Sequence, residues 1–560
     1  MSSAGIGRRA ALGAMLAAAL VLAACSGSSN KGVSVTDNRD DVTGVVNGTL
    51  TTDGPARDGG SITVYDTSDS PSLDISQATY TVHIQTSGLV YNKLIGYKTG
   101  RDIKYGAQQL QGDLADSWSM SPDGTQWTVK LHQGVKFQNI APVNGHEFTS
   151  AEVACTLDWF MKTPGAAQQS AMSIVDRVET PDAYTAIFVL KTPFAAFDQA
   201  LASYNMEMAP CELDRGEYDI KTTAIGTGPY ILSDWQRGVS KTYTKNPNYF
   251  VPGKPHLDKI TILIMSNIDA LMAAYRTHDI DLLAVPDNQM QPMLSSNPND
   301  LARTQLSLVM PEIFMNQDIK PFDNLNVRKA IALGWDRKTM GDTFNHGYVL
   351  GASWPGIQDG GLSPDEAMNL LPYDPTEAKK LLADAGYPNG FDVELTVTDG
   401  YGQTVVDAAQ FFQQDLKNIG INATLKTIDY STWAANVLTT KGGYSIAYGL
   451  TTSFASTDEW LYSAYLTDAV RNSFKVADPA LDKMIVDQRS IFDPTARTKA
   501  LHDIATYIAT SVIDPILAYQ IPGTTFQQAW VHNLYSAPAY ERPYMADVWV
   551  DSTSPRANDK

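Results

Sequence analysis

The chain is short of basic side chains, of cysteine and of recognisable catalytic motifs. Against 61 acidic residues stand only 42 basic ones, a formal net charge of −19. Such a field repels phosphate backbones and argues against nucleic acid as a partner. Charged residues make up only 18% of the chain and apolar ones 43%, which excludes a disordered polyelectrolyte and supplies large cores. Neither G-x-S-x-G nor G-x-x-x-x-G-K nor G-x-G-x-x-G occurs, so there is no nucleophile elbow and no phosphate cradle. His146-Glu147 begins like the helix of a zinc protease, but Ser150 stands where the second histidine is required. The 8 histidines show no ligand spacing, and no metal, cofactor or catalytic residue is expected.

Long apolar runs are equally scarce. The one present, Ala10 to Ala24, follows Arg8-Arg9 and is too short for a bilayer span, which takes about 20 apolar residues. A basic start and an apolar stretch describe a signal peptide over 1–24. Leu22-Ala23-Ala24-Cys25 resembles the lipobox of bacterial lipoproteins, which implies cleavage before Cys25 and a lipid on its thiol. The alternative is an ordinary signal peptide with an incidental cysteine. Arg8-Arg9 leaves Sec and twin-arginine export both open. Residues 25–57 contain no aromatic side chain and are rich in Ser, Gly, Thr, Asn and Asp, as a flexible tether would be. Of the 3 cysteines, Cys155 and Cys211 then remain, as a disulfide or as two buried thiols.

What is present reads as mixed α/β. At 560 residues the chain has room for roughly three to four domains. "SITVY" from Ser61 has strand alternation. Ala115 to Phe137 reads as a hairpin around Ser121-Pro122-Asp123-Gly124, with Trp127, Val129 and Leu131 facing one way. Asp374 and Pro375 open a helix, and Glu377 stands where a capping box would close. Phe391, Val393, Leu395 and Val397 alternate as a strand. Val405, Ala409, Phe412, Leu416 and Ile419 share a helical face, and Ile421, Ala423 and Leu425 begin another strand. Strand, helix, strand with short joints predicts a βαβ unit and some parallel sheet.

"QLQGDLADSWSMSPDGTQWTVKLHQGVKF" resembles the signature segment of family 5 solute-binding proteins, the oligopeptide, dipeptide and nickel receptors of ABC importers. "SPSLDI" (70–75), "AIGTGPYIL" (224–232), "KNPNYF" (245–250) and "FDNLNVRKAIALGWDR" (322–337) are similar to further family segments, in the same order. The resemblance implies a type II periplasmic-binding-protein-like α/β fold, with two lobes, three domains and mixed sheets. Lobe I would join a main domain (58–98, 222–316 and 522–560) to an inserted domain (99–221), and lobe II would span 317–521. Two crossover strands, near Phe314–Gln317 and Tyr519–Ile521, would form the hinge. It further implies a monomeric receptor, extracytoplasmic and anchored to the outer face of the cell membrane. It would close on a small solute and hand it to an ABC permease and ATPase without chemistry.

The resemblance places ligand contacts at Asp69, Asn316, Trp433, Gly449, Leu450, Thr451, Ser453 and Phe454. Peptide-binding relatives carry a segment like G-W-x-A-D-Y-x-D-P, whose first Asp pairs with the peptide ammonium. Here "GLTTSFASTDEWL" puts Ser453 in that place and Ser456 at the second Asp. A hydroxyl does not neutralise an ammonium. Asp69, Asp458 or Glu459 could substitute. Otherwise the solute is N-blocked, neutral or an oligosaccharide stacked on Trp433 and Phe454. A surface lipoprotein that binds proteins and an extracytoplasmic hydrolase are the rival readings.

Overall fold

A computed structural model of the protein describes residues 45–47, 54–77, 87–99, 103, 109–285, 287–306, 311–344, 360–439, 442–450, 456–469, 471–513, 522–534 and 543–559. Cys25 and the leader lie outside the described residues. Among the described residues no helix is long and apolar enough to cross a membrane.

Ile62 and Val64 alternate with more exposed neighbours, and this buries one side of the strand Ser61–Asp66. It pairs in parallel with Lys259–Ile264, which continues antiparallel to Ser240–Lys245 and then Tyr230–Gln236. Tyr230, Tyr243, Ile260 and Ile262 fill the core beneath this sheet. A second sheet of the same domain runs Val45–Asn47, Leu301–Leu306, Pro522–Gln527, Leu282–Val285, all antiparallel. Its edge corrects the expectation of a free tether over 25–57. Val45 pairs with Arg303 and Asn47 with Ala302, because an open sheet edge offers unpaired backbone groups to any nearby extended segment.

The inserted domain carries the predicted hairpin, Ala115–Met120 with Gln126–Leu131. Trp127, Val129 and Leu131 are buried, while Thr128 and Lys130 face outward. Ser121 O accepts from Gly124 N at 2.9 Å, and the Ser121 hydroxyl donates to Asp123 Oδ1 at 2.6 Å. Thr185–Leu190 and Val175–Asp182 complete the antiparallel sheet. His146-Glu147 lies before the helix Ser150–Lys162, whose first turn is closed by a Thr149–Glu152 capping box. Cys155 on that helix is joined to Cys211, Cα to Cα 5.3 Å, at the start of the short helix Cys211–Asp214.

Lobe II is built on the predicted βαβ unit. Phe391–Thr398 and Ile421–Ile428 pair in parallel from Phe391↔Ile421 to Thr398↔Ile428, joined by the helix Gln403–Asn418. Ile446–Leu450 is the third parallel strand, and Pro311–Met315 lies antiparallel beside it. The helix Pro375–Asp384 is capped by Asp374 Oδ1, which accepts from Thr376 N at 3.0 Å and Glu377 N at 2.9 Å. The expected capping box is not closed. Asp374 N is taken by Leu333 O at 2.8 Å, and Glu377 reaches Lys380 Nζ at 3.3 Å.

Pro311–Met315 completes the sheet of Ile446–Leu450, Phe391–Thr398 and Ile421–Ile428, just ahead of the boundary expected at 317. Phe314–Gln317, expected as one crossover, overlaps the end of that strand. Tyr519–Ile521, expected as the second crossover, lies outside the described residues.

Candidate functional site

In open α/β sheets a ligand finds room outside the carboxyl ends of the strands. The parallel strands of lobe II end at Thr398, Ile428 and Leu450. Aromatic rings gather at this end. Tyr401 and Tyr430 meet edge to face at 5.4 Å, and Tyr401 lies 6.1 Å from Trp433 at 80°. Burial pushes the Tyr401 phenol well above its usual range. Tyr430 keeps 48% of its surface exposed, which leaves a ring edge for a solute. Sequence reasoning missed Tyr430. Its signal was Asp429, which ends a strand and caps the helix Tyr430–Asn436 through Thr432 N at 3.0 Å.

Trp433 does not offer itself in the same way. The structure places it in the lobe II core at 0% exposure, edge to face with Phe314 at 5.8 Å. Trp433, expected to contact ligand, is enclosed by the lobe II core in this structure. Its distal ring rests on Gly449, where a Cβ would stand 2.1 Å from Trp433 Cζ2. Glycine is thus required at 449 by an internal side chain. Leu450 pairs with Pro311 and is buried in the core on the other side of the sheet, with Ile446 and Tyr448. Asn316 is also interior. Its amide donates to Gly442 O at 3.2 Å and Tyr444 O at 3.1 Å, and its carbonyl accepts from Asp318 N at 3.1 Å. These bonds fix the turn that follows the strand Pro311–Met315. Thr451, Ser453 and Phe454 lie outside the described residues.

Two of the three carboxylates named as substitutes for the missing anchor, Asp69 and Asp458, are already engaged; Glu459 lies beside Asp458 in the helix Thr457–Trp460. Asp69 accepts from Trp235 Nε1 at 3.1 Å and Gly238 N at 2.9 Å, and pairs with Lys241 Nζ at 3.2 Å. Burial pushes its pKa up, but the Gly238 amide, the Lys241 charge and the Trp235 indole outweigh it and hold the carboxyl below its ordinary range. Lys241 is itself buried, which lowers its ammonium against the pull of Asp69, and it donates to Ser70 Oγ at 2.8 Å. Arg237 lies over the Trp235 ring at 3.5 Å. Asp69 therefore closes a network inside lobe I. Asp458, 2% exposed, is held by Arg489 Nε at 2.9 Å and Nη2 at 2.7 Å, and by Gln488 Nε2 at 2.5 Å.

The two lobes touch away from the crossovers. Ala195 N of the inserted domain donates to Arg489 O of lobe II at 2.7 Å. The Arg489 guanidinium lies 4.1 Å from the Phe194 ring centre, and Phe492 sits against Gly124 and Pro193. Asp198 of the inserted domain is raised by burial, with Trp118 Nε1 donating to it at 3.2 Å and the lobe II Arg497 charge pulling it back down. Among the described residues no group of three or more His, Cys, Asp or Glu is arranged to hold a metal.

Two lobes of mixed α/β sheet, one carrying an inserted domain that touches the other, define a binding protein of the type II periplasmic class. Solved structures match this architecture. DppA from Helicobacter pylori in complex with the peptide STSA superposes with a TM-score of 0.74 at 23% identity, covering 88% of this chain and 98% of its own. AgaA from A. tumefaciens R10 in complex with agropinic acid gives 0.73 at 23% identity, covering 88% and 99%. Residues 109–472 match the profile of the bacterial extracellular solute-binding proteins, family 5, and the chain belongs to that family. The glutathione-binding protein GsiB of Escherichia coli K12 is 31% identical over 331 residues, which cover 59% of this chain. The match spans 63% of GsiB's own length. The family is one of binding proteins rather than enzymes.

Proposed function

We propose that this protein is the substrate-binding subunit of an ABC importer, held by a lipid on Cys25 at the outer face of the membrane. It closes its lobes around a peptide-like solute and passes it unchanged to a permease and ATPase. Membership of an extracellular solute-binding family carries this reading, and the contact of inserted domain with lobe II supports it. The Cys155–Cys211 bond fits an oxidising compartment outside the cytoplasm. A tether keeps the receptor near its permease and raises its effective concentration there.

The solute class follows from what is engaged and what is similar. Asp69 and Asp458 are committed internally and Ser453 replaces the anchoring Asp, so a short zwitterionic peptide gets no counter-charge for its ammonium from these three positions, and Glu459 is the remaining candidate among the named carboxylates. An uncompensated buried ammonium costs several kcal/mol. Among the similar proteins GsiB is named for glutathione and DppA is solved with a peptide, while AgaA is solved with agropinic acid; the first two favour a peptide-like solute recognised by hydrogen bonds and ring contacts.

Native mass spectrometry of the protein purified from its own host tests the reading, followed by calorimetry against glutathione, short free peptides, N-blocked peptides and oligosaccharides. The expected result is one small solute bound one to one, with peptide-like compounds competing for it. Cleavage or modification of the solute overturns the reading. So does the absence of any saturable solute.

A further inference from the structure

We propose that Arg489, set in place by Asp458, is a latch that holds the lobes closed without any ligand. The guanidinium edge is forked on both Asp458 oxygens, at 2.9 and 2.7 Å. Rings from both lobes lie against it. One ring, Tyr462, belongs to lobe II and lies 3.1 Å from the guanidinium carbon. The other, Phe194, belongs to the inserted domain and lies at 4.1 Å. The Arg489 side chain is 8% exposed and that of Asp458 3%. A cation against aromatic rings and shielded from water gains more than the same contact in solvent.

Around this cation the contact is continuous. Ala195 N donates to Arg489 O at 2.7 Å. Three residues on, Phe492 covers Gly124 so closely that a Cβ there would stand 2.3 Å from Phe492 Cε1. Gly124 has φ of +69°, so the hairpin tip needs glycine twice, for its backbone and for the ring above it. Gln488 links the cluster onward, donating to Asp458 and accepting from Arg497 Nε at 3.1 Å.

None of these residues lies in the crossover segments or at the strand ends Thr398, Ile428 and Leu450. Opening the lobes would take Phe194 from Arg489, break the Ala195 bond and expose Phe492 further, while leaving the Asp458 fork intact. Asp458 thus positions the latch, and Phe194, Ala195 and Gly124 receive it. Such a contact shifts the unliganded population toward the closed form, so lobe closure alone would not report a bound solute. The inference rests on the reading that the lobes open and close.

The test uses the ligand-free full chain. Phe492→Ala alters only an edge ring that is 37% exposed, and the pair Asp458→Asn with Arg489→Gln removes the cation without leaving a buried charge unpaired. Small-angle scattering reads lobe separation, and hydrogen exchange reads the Ala195 amide. Both variants should enlarge the radius of gyration and speed exchange at Ala195, shifting the open-to-closed ratio roughly tenfold. Exchange in the helix Ser150–Lys162 should stay as in the parent, which separates opening from unfolding. Parent-like scattering and Ala195 exchange in both variants overturns the latch while leaving lobe motion in place, provided that a bound solute still contracts the parent. A parent whose scattering no solute alters, with Ala195 protected in every variant, overturns the latch and the moving-lobe reading together.

Discussion

The indole of Trp433 comes so close to Gly449 that a Cβ at 449 would stand 2.1 Å from Cζ2 and 2.5 Å from Cη2. The strand Ile446–Leu450 therefore reaches its carboxyl end with a fixed ring on one side and the Tyr448 core on the other. Gly449→Ala should cost about 3 kcal/mol in urea unfolding, an overpacking penalty at the upper end of the usual range. Trp433→Phe removes the distal ring, so the double variant should show favourable coupling of at least ~1 kcal/mol in a double-mutant cycle. Additive effects would show that the ring and the strand do not press on each other.

Asp69 gives a second prediction. Its partners are a fully buried ammonium, an indole N–H and a backbone amide. Asp69→Asn leaves Lys241 charged and unpaired inside lobe I and should lower stability by about 3 kcal/mol. Adding Lys241→Met should restore much of the loss, because no charge then remains to be solvated. Ligand affinity, measured on the solute recovered from the host, should change little in the stable double variant. A large loss of affinity there would return Asp69 to the binding site.

These two cases show where the sequence was legible. The hairpin around Ser121-Pro122-Asp123-Gly124 and the βαβ unit from Phe391 to Ile428 rest on periodicity and turn chemistry, which are local and could be read directly. The role of Asp69 depends on Trp235 and Lys241, far along the chain on two strands of another hairpin, and no local pattern announces that. Asp458 likewise meets Arg489 only through folding. The enclosure of Trp433 was not legible because aromatic character alone does not separate a core ring from a cleft ring; Gly449 in a strand was the missed clue. Val45–Asn47 is too short for its alternation to register, and an open sheet edge completes it.

Asp415 carries a pH dependence. It is buried on the helix Gln403–Asn418, where desolvation raises its pKa to about 7; Asp336 N donates to it at 3.0 Å and opposes the rise, while the Asp336 charge adds to it. The folded chain keeps this proton where the unfolded chain, near its ordinary 3.8, has lost it. Stability from this group is therefore complete below pH ~4 and is lost as pH rises through 7. The gap corresponds to no more than about 4 kcal/mol. Asp415→Asn keeps an acceptor for Asp336 N and removes the titration. The parent should lose stability relative to this variant between pH 4.5 and 7.5, followed by urea unfolding at each pH. Parallel profiles would place the Asp415 pKa near that of an exposed carboxyl.

Ser453 carries the prediction closest to function. In peptide-binding relatives the matching position holds an Asp that meets the ligand ammonium, and here two of the carboxylates named to replace it are spoken for: Asp69 by Lys241, Asp458 by Arg489. If the absent charge is what disfavours free peptides, Ser453→Asp should supply it without altering either network. Calorimetry with unblocked di- and tripeptides should then show an affinity gain of about tenfold or more, the size of one charge-assisted contact. N-acetylated versions of the same peptides should gain nothing, because an amide offers no ammonium. The gain should fade with added salt to the extent that the new pair stays solvent-accessible. Equal behaviour of free and blocked peptides in the variant would mean that position 453 does not face the ligand's amino end, and that selectivity against free peptides is set elsewhere in the cleft.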